Sequence, residues 1–473
     1  MKSRSGTAAG NNKLFSVLIW GTVIFFSILY ISLIFNDNLW TDEVFTMTAL
    51  NKKSVGEMVA YLITDVHPPL YYFYTRVFHF FFGNSVQAQK IASIIPMTAL
   101  LIYSASVIRK IFGDKASFLF NLFICCIPCS MEFAVQVRMY SLALFFVTIC
   151  GVSAYTAFSS GEKKYFLYYS AALLGAAYTH YFSFVSVIWI GVILFLFIVV
   201  RKRKLFKAFA VSTITQIILY IPWMSPMFSQ IKRVRADYWI QPITPETVWG
   251  YFKWTFGLQL VPYVEYIFTA GLVVIGLRLI YLLLKKKYSY MPALAAMLIP
   301  ALTCLLGILL SVMPGKSPIY RDQYIFPALG LLALFFAITV KDLNRIVLTI
   351  ICAFLLFVGA VQYKEVYRQE YKSTYLVQTR KFFNENIKDD DILMYTWDIY
   401  GFIYRYYFPD NNVVFMDDFD WESNTKTVWL MYSTFNSLPG GDYFNSHYTM
   451  EHMGHFGIEH SEFELYKISR TQP

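Results

Sequence analysis

Residues Tyr165–Val200 read YFLYYSAALLGAAYTHYFSFVSVIWIGVILFLFIVV, 36 positions without one Asp, Glu, Lys or Arg. At about 1.5 Å per residue, one helix of that length would far overrun a hydrocarbon layer of about 30 Å. Two short passes with a turn near Tyr178–Ser183 fit the layer, and His180 then falls in the turn. The pattern repeats outward from this hairpin. Uncharged runs predict helices over 14–35, 91–108, 116–131, 139–160, 165–179, 183–200, 208–228, 264–284, 290–313, 324–340 and 346–363, about 11 passes in all.

Composition points the same way. Of 473 residues, 57% are hydrophobic and 15% charged, too few charges to cover a water-facing surface. All six cysteines (Cys125, Cys126, Cys129, Cys150, Cys304 and Cys352) lie in apolar runs, so no disulfide framework is implied. Residues 14–35 are too long for a signal peptide and lack its small-residue cleavage site, so they read as a retained first pass. The net charge of +10 is gathered in patches between runs: Arg109, Lys110 and Lys115; Lys163 and Lys164; Arg201 to Lys204 with Lys207; Lys285 to Lys287; Lys341 and Arg345. Cytoplasmic loops carry this excess, so membrane lipids are the expected partners and nucleic acid is not.

The ambiguous stretch is His67–Phe82, HPPLYYFYTRVFHFFF. Counted as a pass, it would put all five later patches outside. It is therefore expected to lie as an amphipathic helix in the outer interface. With the N-terminus cytoplasmic, the outer face receives the first loop (36–90), a turn at 132–138, loops at 229–263 and 314–323, and the polar tail. The tail has strand-like pieces at Asp391–Thr396, Val413–Met416 and Val428–Tyr432. The expected architecture is an all-α polytopic membrane domain over 1–363 and a small extracytoplasmic α/β domain over 364–473. The Lys-, Phe-, Tyr-, Ile- and Asn-rich composition suggests a bacterial plasma membrane.

This topology brings the ionisable residues at span ends to one side: Asp42 and Glu43, Asp65 and His67, Glu132 and Arg138, His180, and Arg321-Asp322. A carboxylate at Asp42 could act as general base towards a hydroxyl, against a competing reading as a solvated loop charge. Arg138 and Arg321 offer guanidinium forks that match a lipid-linked phosphate, although either could simply snorkel to headgroups. Trp249 and Trp254, with Tyr238 and Trp239, make the 229–263 loop aromatic enough to close over a sugar or to serve as an interfacial belt.

Trp40-Thr41-Asp42-Glu43, Asp65-Val66-His67-Pro68-Pro69-Leu70-Tyr71-Tyr72 and Phe82-Gly83-Asn84-Ser85, in that order, resemble the polyprenyl-phosphate-dependent glycosyltransferases of the GT-C superfamily. The branch is that of bacterial protein O-mannosyltransferases and aminoarabinose transferases. Gln136-Val137-Arg138-Met139-Tyr140-Ser141, Tyr178-Thr179-His180-Tyr181-Phe182 and Arg321 to Pro327 extend the resemblance, which covers residues 14 to about 345. It implies a GT-C fold and catalytic roles for Asp42 and its neighbour Glu43. It implies donor-phosphate contacts from His67, Arg138, Arg321 and Tyr324, and substrate contacts from Tyr71, Tyr140, His180 and Tyr181. Relatives carry Glu-Lys before the double proline where this chain has Val66-His67, and a Glu where it has Gln136. Asp65, His67 and His180 could hold a divalent metal in their place, though the Gln136 exchange argues against an obligatory one. No other cofactor is implied. The implied partners are a polyprenyl-phosphate-sugar donor and an envelope polymer, lipid or protein acceptor. A flippase for a lipid-linked sugar would instead predict mid-membrane charges and repeated halves. A diphosphate-linked oligosaccharide ligase would need a larger outer loop, and a non-enzymatic assembly protein would use the tail domain alone.

Overall fold

The computed structural model describes residues 4–36, 38–236, 240–372, 375–397, 401–433, 438–458 and 461–471. In chain order the helices are α1 (Arg4–Ile31), α2 (Thr41–Leu50), α3 (Val55–Ile63), α4 (Leu70–Phe82), α5 (Val86–Tyr103), α6 (Arg109–Phe112) and α7 (Asp114–Cys126). There follow α8 (Ser130–Val135), α9 (Tyr140–Ser160), α10 (Lys163–Ala177), α11 (Tyr181–Arg201), α12 (Phe206–Ala236), α13 (Pro245–Phe256) and α14 (Val264–Leu284). The last are α15 (Met291–Ser311), α16 (Leu329–Val340), α17 (Arg345–Lys372), α18 (Tyr375–Asn386), α19 (Gly401–Tyr407) and α20 (Asp442–His447). The chain divides into two compact units: Met1–Phe35 with Lys53–Val366, and Asn36–Lys52 with Tyr367–Pro473. The first outer loop is thus split, and the stretch bearing Asp42 and Glu43 falls in the second unit.

The first unit is that of a multi-pass membrane protein. Among the described residues nine helical segments are long and apolar enough to cross a bilayer: Lys13–Ile31, Val86–Phe112, Tyr140–Ser160, Tyr181–Arg201, Arg203–Ala236, Val264–Leu284, Tyr288–Ser311, Asp322–Val340 and Arg345–Arg368. The two other expected runs are helical but short. Pro128 drives Ile127 into an extended conformation (φ −65°, ψ 131°) and breaks the 116–131 run into α7 and α8. The 165–179 run is α10, which at 15 residues is about 22 Å long.

Helix α4 starts directly after the double proline and is amphipathic. It buries Tyr71, Tyr72 and Thr75 and exposes Phe73, Val77, Phe80, Phe81 and Phe82. The 229–263 region is largely helical rather than a loop. Helix α12 continues through Pro222 and Pro226 to Ala236, and α13 follows, with Thr244 Oγ1 accepting from Thr247 N–H. Trp249 and Trp254 lie on α13, whereas Tyr238 and Trp239 lie outside the described residues.

The second unit holds a mixed five-stranded sheet of β1 (Ile392–Tyr395), β2 (Asn412–Phe415), β3 (Val428–Tyr432), β4 (Tyr448–Ile458) and β5 (Ser461–Arg470). The order is β2-β1-β3-β5-β4, with β1 parallel to β2 and β3 and the other pairs antiparallel. All four residues of β1 are buried, as befits a central parallel strand covered on both faces. One face packs Ile392, Met394, Val428, Leu430 and Ile468 against Phe444 and Tyr448. Within this unit Leu39 and Tyr407 exchange two hydrogen bonds, Leu39 N–H to the phenol oxygen at 2.6 Å and the phenol to Leu39 O at 3.3 Å.

Candidate functional site

The turn between α10 and α11 positions the first element of the site. His180 is the N-cap of α11: its extended backbone ends the hairpin turn, and its Nδ1 accepts from Phe182 N–H at 3.2 Å. An Nδ1 that accepts carries no proton, so the neutral ring is protonated on Nε2. Burial, reinforced by the neighbouring His67 and Arg138, holds its pKa well below the ordinary imidazole value. Capping and protonation state therefore agree.

The second element is the segment between α3 and α4. Asp65 Oδ2 accepts from Tyr72 OH at 3.0 Å and lies 3.1 Å from His67 Nδ1. That carboxylate selects the Nδ1–H tautomer of His67 and leaves Nε2 for a ligand. Arg138, 2% exposed, brings its guanidinium to 3.5 Å from both His67 Nδ1 and Tyr72 OH. Burial pushes the Asp65 carboxyl up, but the imidazole and guanidinium outweigh it and hold the group below its ordinary 3.8.

Helix α12 clamps this segment from the other side. Gln230 Nε2 donates to Leu62 O at 3.0 Å, and Arg233 donates to Ile63 O at 3.2 Å and Asp65 O at 2.5 Å. Gln230 Oε1 accepts from Tyr181 OH, which accepts in turn from Trp223 Nε1 at 3.2 Å. Leu70 N–H donates to Tyr178 O at 2.8 Å and ties the start of α4 to the hairpin turn.

The aromatic rings complete the site. His180 is 5.7 Å from His67, 5.7 Å from Tyr140 and 5.2 Å from Tyr324, ring centre to ring centre. Tyr324 stacks on Phe182 at 5.1 Å, and Tyr140 OH accepts from Gln323 Nε2 at 2.8 Å. A cavity of about 500 Å³ opens against His67, His180, Tyr181 and Tyr324, with Gln230, Arg235 and Lys316 also on its wall. Among the described residues its lining contains no carboxylate. Such a space suits an anion with an apolar body.

The structure thus brings together His67, Arg138, Tyr140, His180, Tyr181 and Tyr324. Tyr71 packs nearby with its hydroxyl 2.9 Å from Ser93 Oγ, but like Arg138 and Tyr140 it does not line the cavity. Nor does Arg321, whose guanidinium pairs with Asp322 at 3.6 Å. Asp42 and Glu43 occupy the first turn of α2 in the second unit, where Glu43 accepts from Trp40 N–H at 2.9 Å. That bond commits Glu43 to capping its helix.

The metal set Asp65, His67 and His180 is not supported. Among the described residues no three His, Cys, Asp or Glu side chains are arranged to hold a metal ion. His180 Nδ1 is spent on a helix cap, and the Arg138 guanidinium stands beside His67 where a cation would meet like charge. Gln230, Arg233 and Arg235 are the contributors missed by sequence reasoning. For the two arginines the signal was present: with Lys232 they form a basic group that the expected topology places outside, against the cytoplasmic bias of the other patches.

No family model and no curated protein matches the sequence. Solved structures do. ArnT from Cupriavidus metallidurans in the apo state superposes with a TM-score of 0.61 at 11% identity, covering 98% of each chain. The same protein bound to undecaprenyl phosphate gives 0.58 at 12% identity, covering 97% of this chain and 98% of that one. The Archaeoglobus fulgidus oligosaccharyltransferase, in complex with zinc and sulfate, gives 0.46 at 12% identity over 83% of this chain and 62% of its own. The fold is ArnT-like over nearly the whole chain.

Proposed function

We propose that the protein is an integral membrane glycosyltransferase that moves a sugar from a polyprenyl phosphate to an extracytoplasmic acceptor hydroxyl. The observation that carries this reading is the cavity at His67 and His180, basic and aromatic with no carboxylate among its described lining residues. It offers hydrogen-bond donors to a phosphate and apolar wall to a lipid. The ArnT-like fold, and the undecaprenyl phosphate bound in one ArnT structure, support it.

In the reaction the acceptor oxygen attacks the anomeric carbon as the bond to the phosphate oxygen breaks, and the configuration inverts. Asp42 takes the hydroxyl proton. The leaving group is a polyprenyl phosphate, which needs charge neutralisation rather than a proton. Arg138 supplies it, with Arg321 as a further cation, and His67 donates through Nε2 when its ring carries both protons. Tyr71, Tyr140, His180, Tyr181 and Tyr324 shape the substrate space. The topology proposed is that of 11 passes, counting the short α10 and the 116–131 run, with a cytoplasmic N-terminus and an extracytoplasmic C-terminal domain in a bacterial plasma membrane. The acceptor is a cell-envelope glycan, glycolipid or protein.

The test is to delete the gene, complement with wild type or Asp42→Asn at equal membrane levels, and compare envelope sugars and linkages by mass spectrometry. The expected result is one sugar decoration lost on deletion and restored by wild type alone. Full restoration by Asp42→Asn removes the base from the scheme and favours transport or assembly.

A further inference from the structure

Helix α2 begins in a stretch whose main chain is pinned from the sheet domain. Tyr407, on α19, is buried, and its hydroxyl accepts from Leu39 N–H at 2.6 Å and donates to Leu39 O at 3.3 Å. One phenol thus satisfies both backbone groups of Leu39, as a neighbouring strand would. The next residues leave little freedom. Trp40 is the N-cap of α2, its N–H donating to Glu43 Oε2 at 2.9 Å and its carbonyl accepting from Glu43 N–H at 2.8 Å. Asp42 follows in the first turn of the helix.

We infer that Tyr407 positions Asp42, and that the C-terminal sheet domain is the mount of the general base. The inference rests on the reading of Asp42 as base and extends it to the part of the chain that aims it. Helix α19 is itself built onto the sheet. Arg405 of α19 donates to Tyr395 OH of β1 at 3.2 Å, and a Cβ at Gly401 would collide with that same hydroxyl, so the start of the helix lies directly on β1. The Arg380 guanidinium of α18 lies 5.6 Å from the centre of the Tyr407 ring, and Phe383 of α18 meets Phe408, 4.6 Å between ring centres. From β1 and α18 through Tyr407 to Leu39 the support is continuous, and all of it lies within the second unit.

Catalysis by a base needs this kind of mount. The base must meet the acceptor hydroxyl within about 2.6–3.2 Å, and a misplacement of about 1 Å can cost about 100-fold in rate. Helix α2 has 10 residues, too short to hold its own shape in water. The phenol grips main chain, so it fixes the path into α2 whatever side chains that path carries. It also accounts for the division of the chain, in which residues 36–52 leave the first loop and join the unit formed by 367–473. Tyr407 is a positioning residue, acting through Leu39 rather than on the substrate.

The experiment uses the full-length protein in the deletion strain, as wild type, Tyr407→Phe or Asp42→Asn at equal membrane levels. Isolated membranes supply the native donor and acceptor, and the rate of sugar decoration is followed by mass spectrometry from about pH 6 to about pH 9. Tyr407→Phe keeps the ring beside Arg380 and removes only the hydroxyl. Its rate is expected to fall roughly 10- to 100-fold at neutral pH, with undecaprenyl phosphate binding unchanged. A reaction stripped of its general base draws on hydroxide, so the residual rate is expected to climb with pH relative to wild type, as that of Asp42→Asn does. Gly401→Ala, which lifts the start of α19 off β1 and keeps the phenol, is expected to show the same signature, and it stands in if Tyr407→Phe does not accumulate. A rate lowered by one factor at every pH overturns the inference, since lost stability alone would do that. An unchanged rate overturns it, as does a loss matched by lost undecaprenyl phosphate binding or a failure of both variants to accumulate. If Asp42→Asn keeps wild-type activity, the base reading itself fails, and Tyr407 has no base to aim.

Discussion

Among the described residues two histidine–carboxylate clusters stand out, one in each unit. In the membrane unit His67 pairs with Asp65 at 3.1 Å under nearly complete burial. On the β4–β5 hairpin of the second unit, His452 and His455 reach Glu464 at 2.7 and 2.9 Å, and His455 also meets Glu462 at 3.2 Å. By distance the exposed cluster is the tighter. By environment it is the weaker, because water and salt compete for every partner. The buried pair has shed most of its water, so each remaining bond is one the fold depends on.

The largest expected effect comes from breaking the buried pair. Asp65→Ala strands the His67 N–H and the Tyr72 hydroxyl and should destabilise the membrane unit by about 3–5 kcal/mol, measured by thermal unfolding in detergent. A loss under about 1 kcal/mol would put the pair in the same class as the exposed one. The carboxyl pKa is depressed, so its stabilisation is present above the ordinary 3.8 and is lost as pH falls through the folded-state value.

A smaller effect is expected at His180. His180→Leu removes the cap of α11 and should cost about 1 kcal/mol, whereas His180→Asn keeps a side-chain acceptor and should recover most of it. Stability of the two variants by chemical denaturation separates capping from other roles. Equal losses would show that the imidazole does something a cap does not.

The smallest effect is expected on the hairpin, where His455→Ala should cost less than about 1 kcal/mol. The Glu464 and Glu462 carboxylates hold the His455 pKa above 6.5, so its contribution is full below 6.5 and is lost as pH rises through the folded value. His452 and His455 hold the Glu464 pKa below 4.5, so that contribution is full above 4.5 and is lost on acidification. Amide hydrogen exchange of β4 and β5 should therefore be slowest between pH 4.5 and 6.5, once corrected for intrinsic exchange rates. A protection profile independent of pH would remove the hairpin from the comparison.

How much of this was legible depended on what each residue type could signal. Strands β1, β2 and β3 were readable, because each is a short run of apolar residues between turn residues. β4 and β5 were not: Glu451, His452, His455, Glu462 and Glu464 are partly or fully exposed on a terminal hairpin, and polarity hid the pattern. The hairpin of α10 and α11 was readable from an imidazole interrupting 36 uncharged positions. The outer end of α12 was not, since Pro222, Pro226 and a run of charges look like a loop when the packing that supports them is invisible. His67, Arg138, His180 and Tyr324 were found because ionisable and aromatic groups at span ends are conspicuous. Gln230 was missed because one amide among polar neighbours carries no sequence signal.

The clamp from α12 has a wider consequence. Gln230 and Arg233 grip main-chain oxygens of Leu62, Ile63 and Asp65, not side chains. The path of that segment is therefore fixed independently of the side chains it displays. A substitution at Val66, which lines the cavity, can therefore change the wall without rebuilding the scaffold beneath.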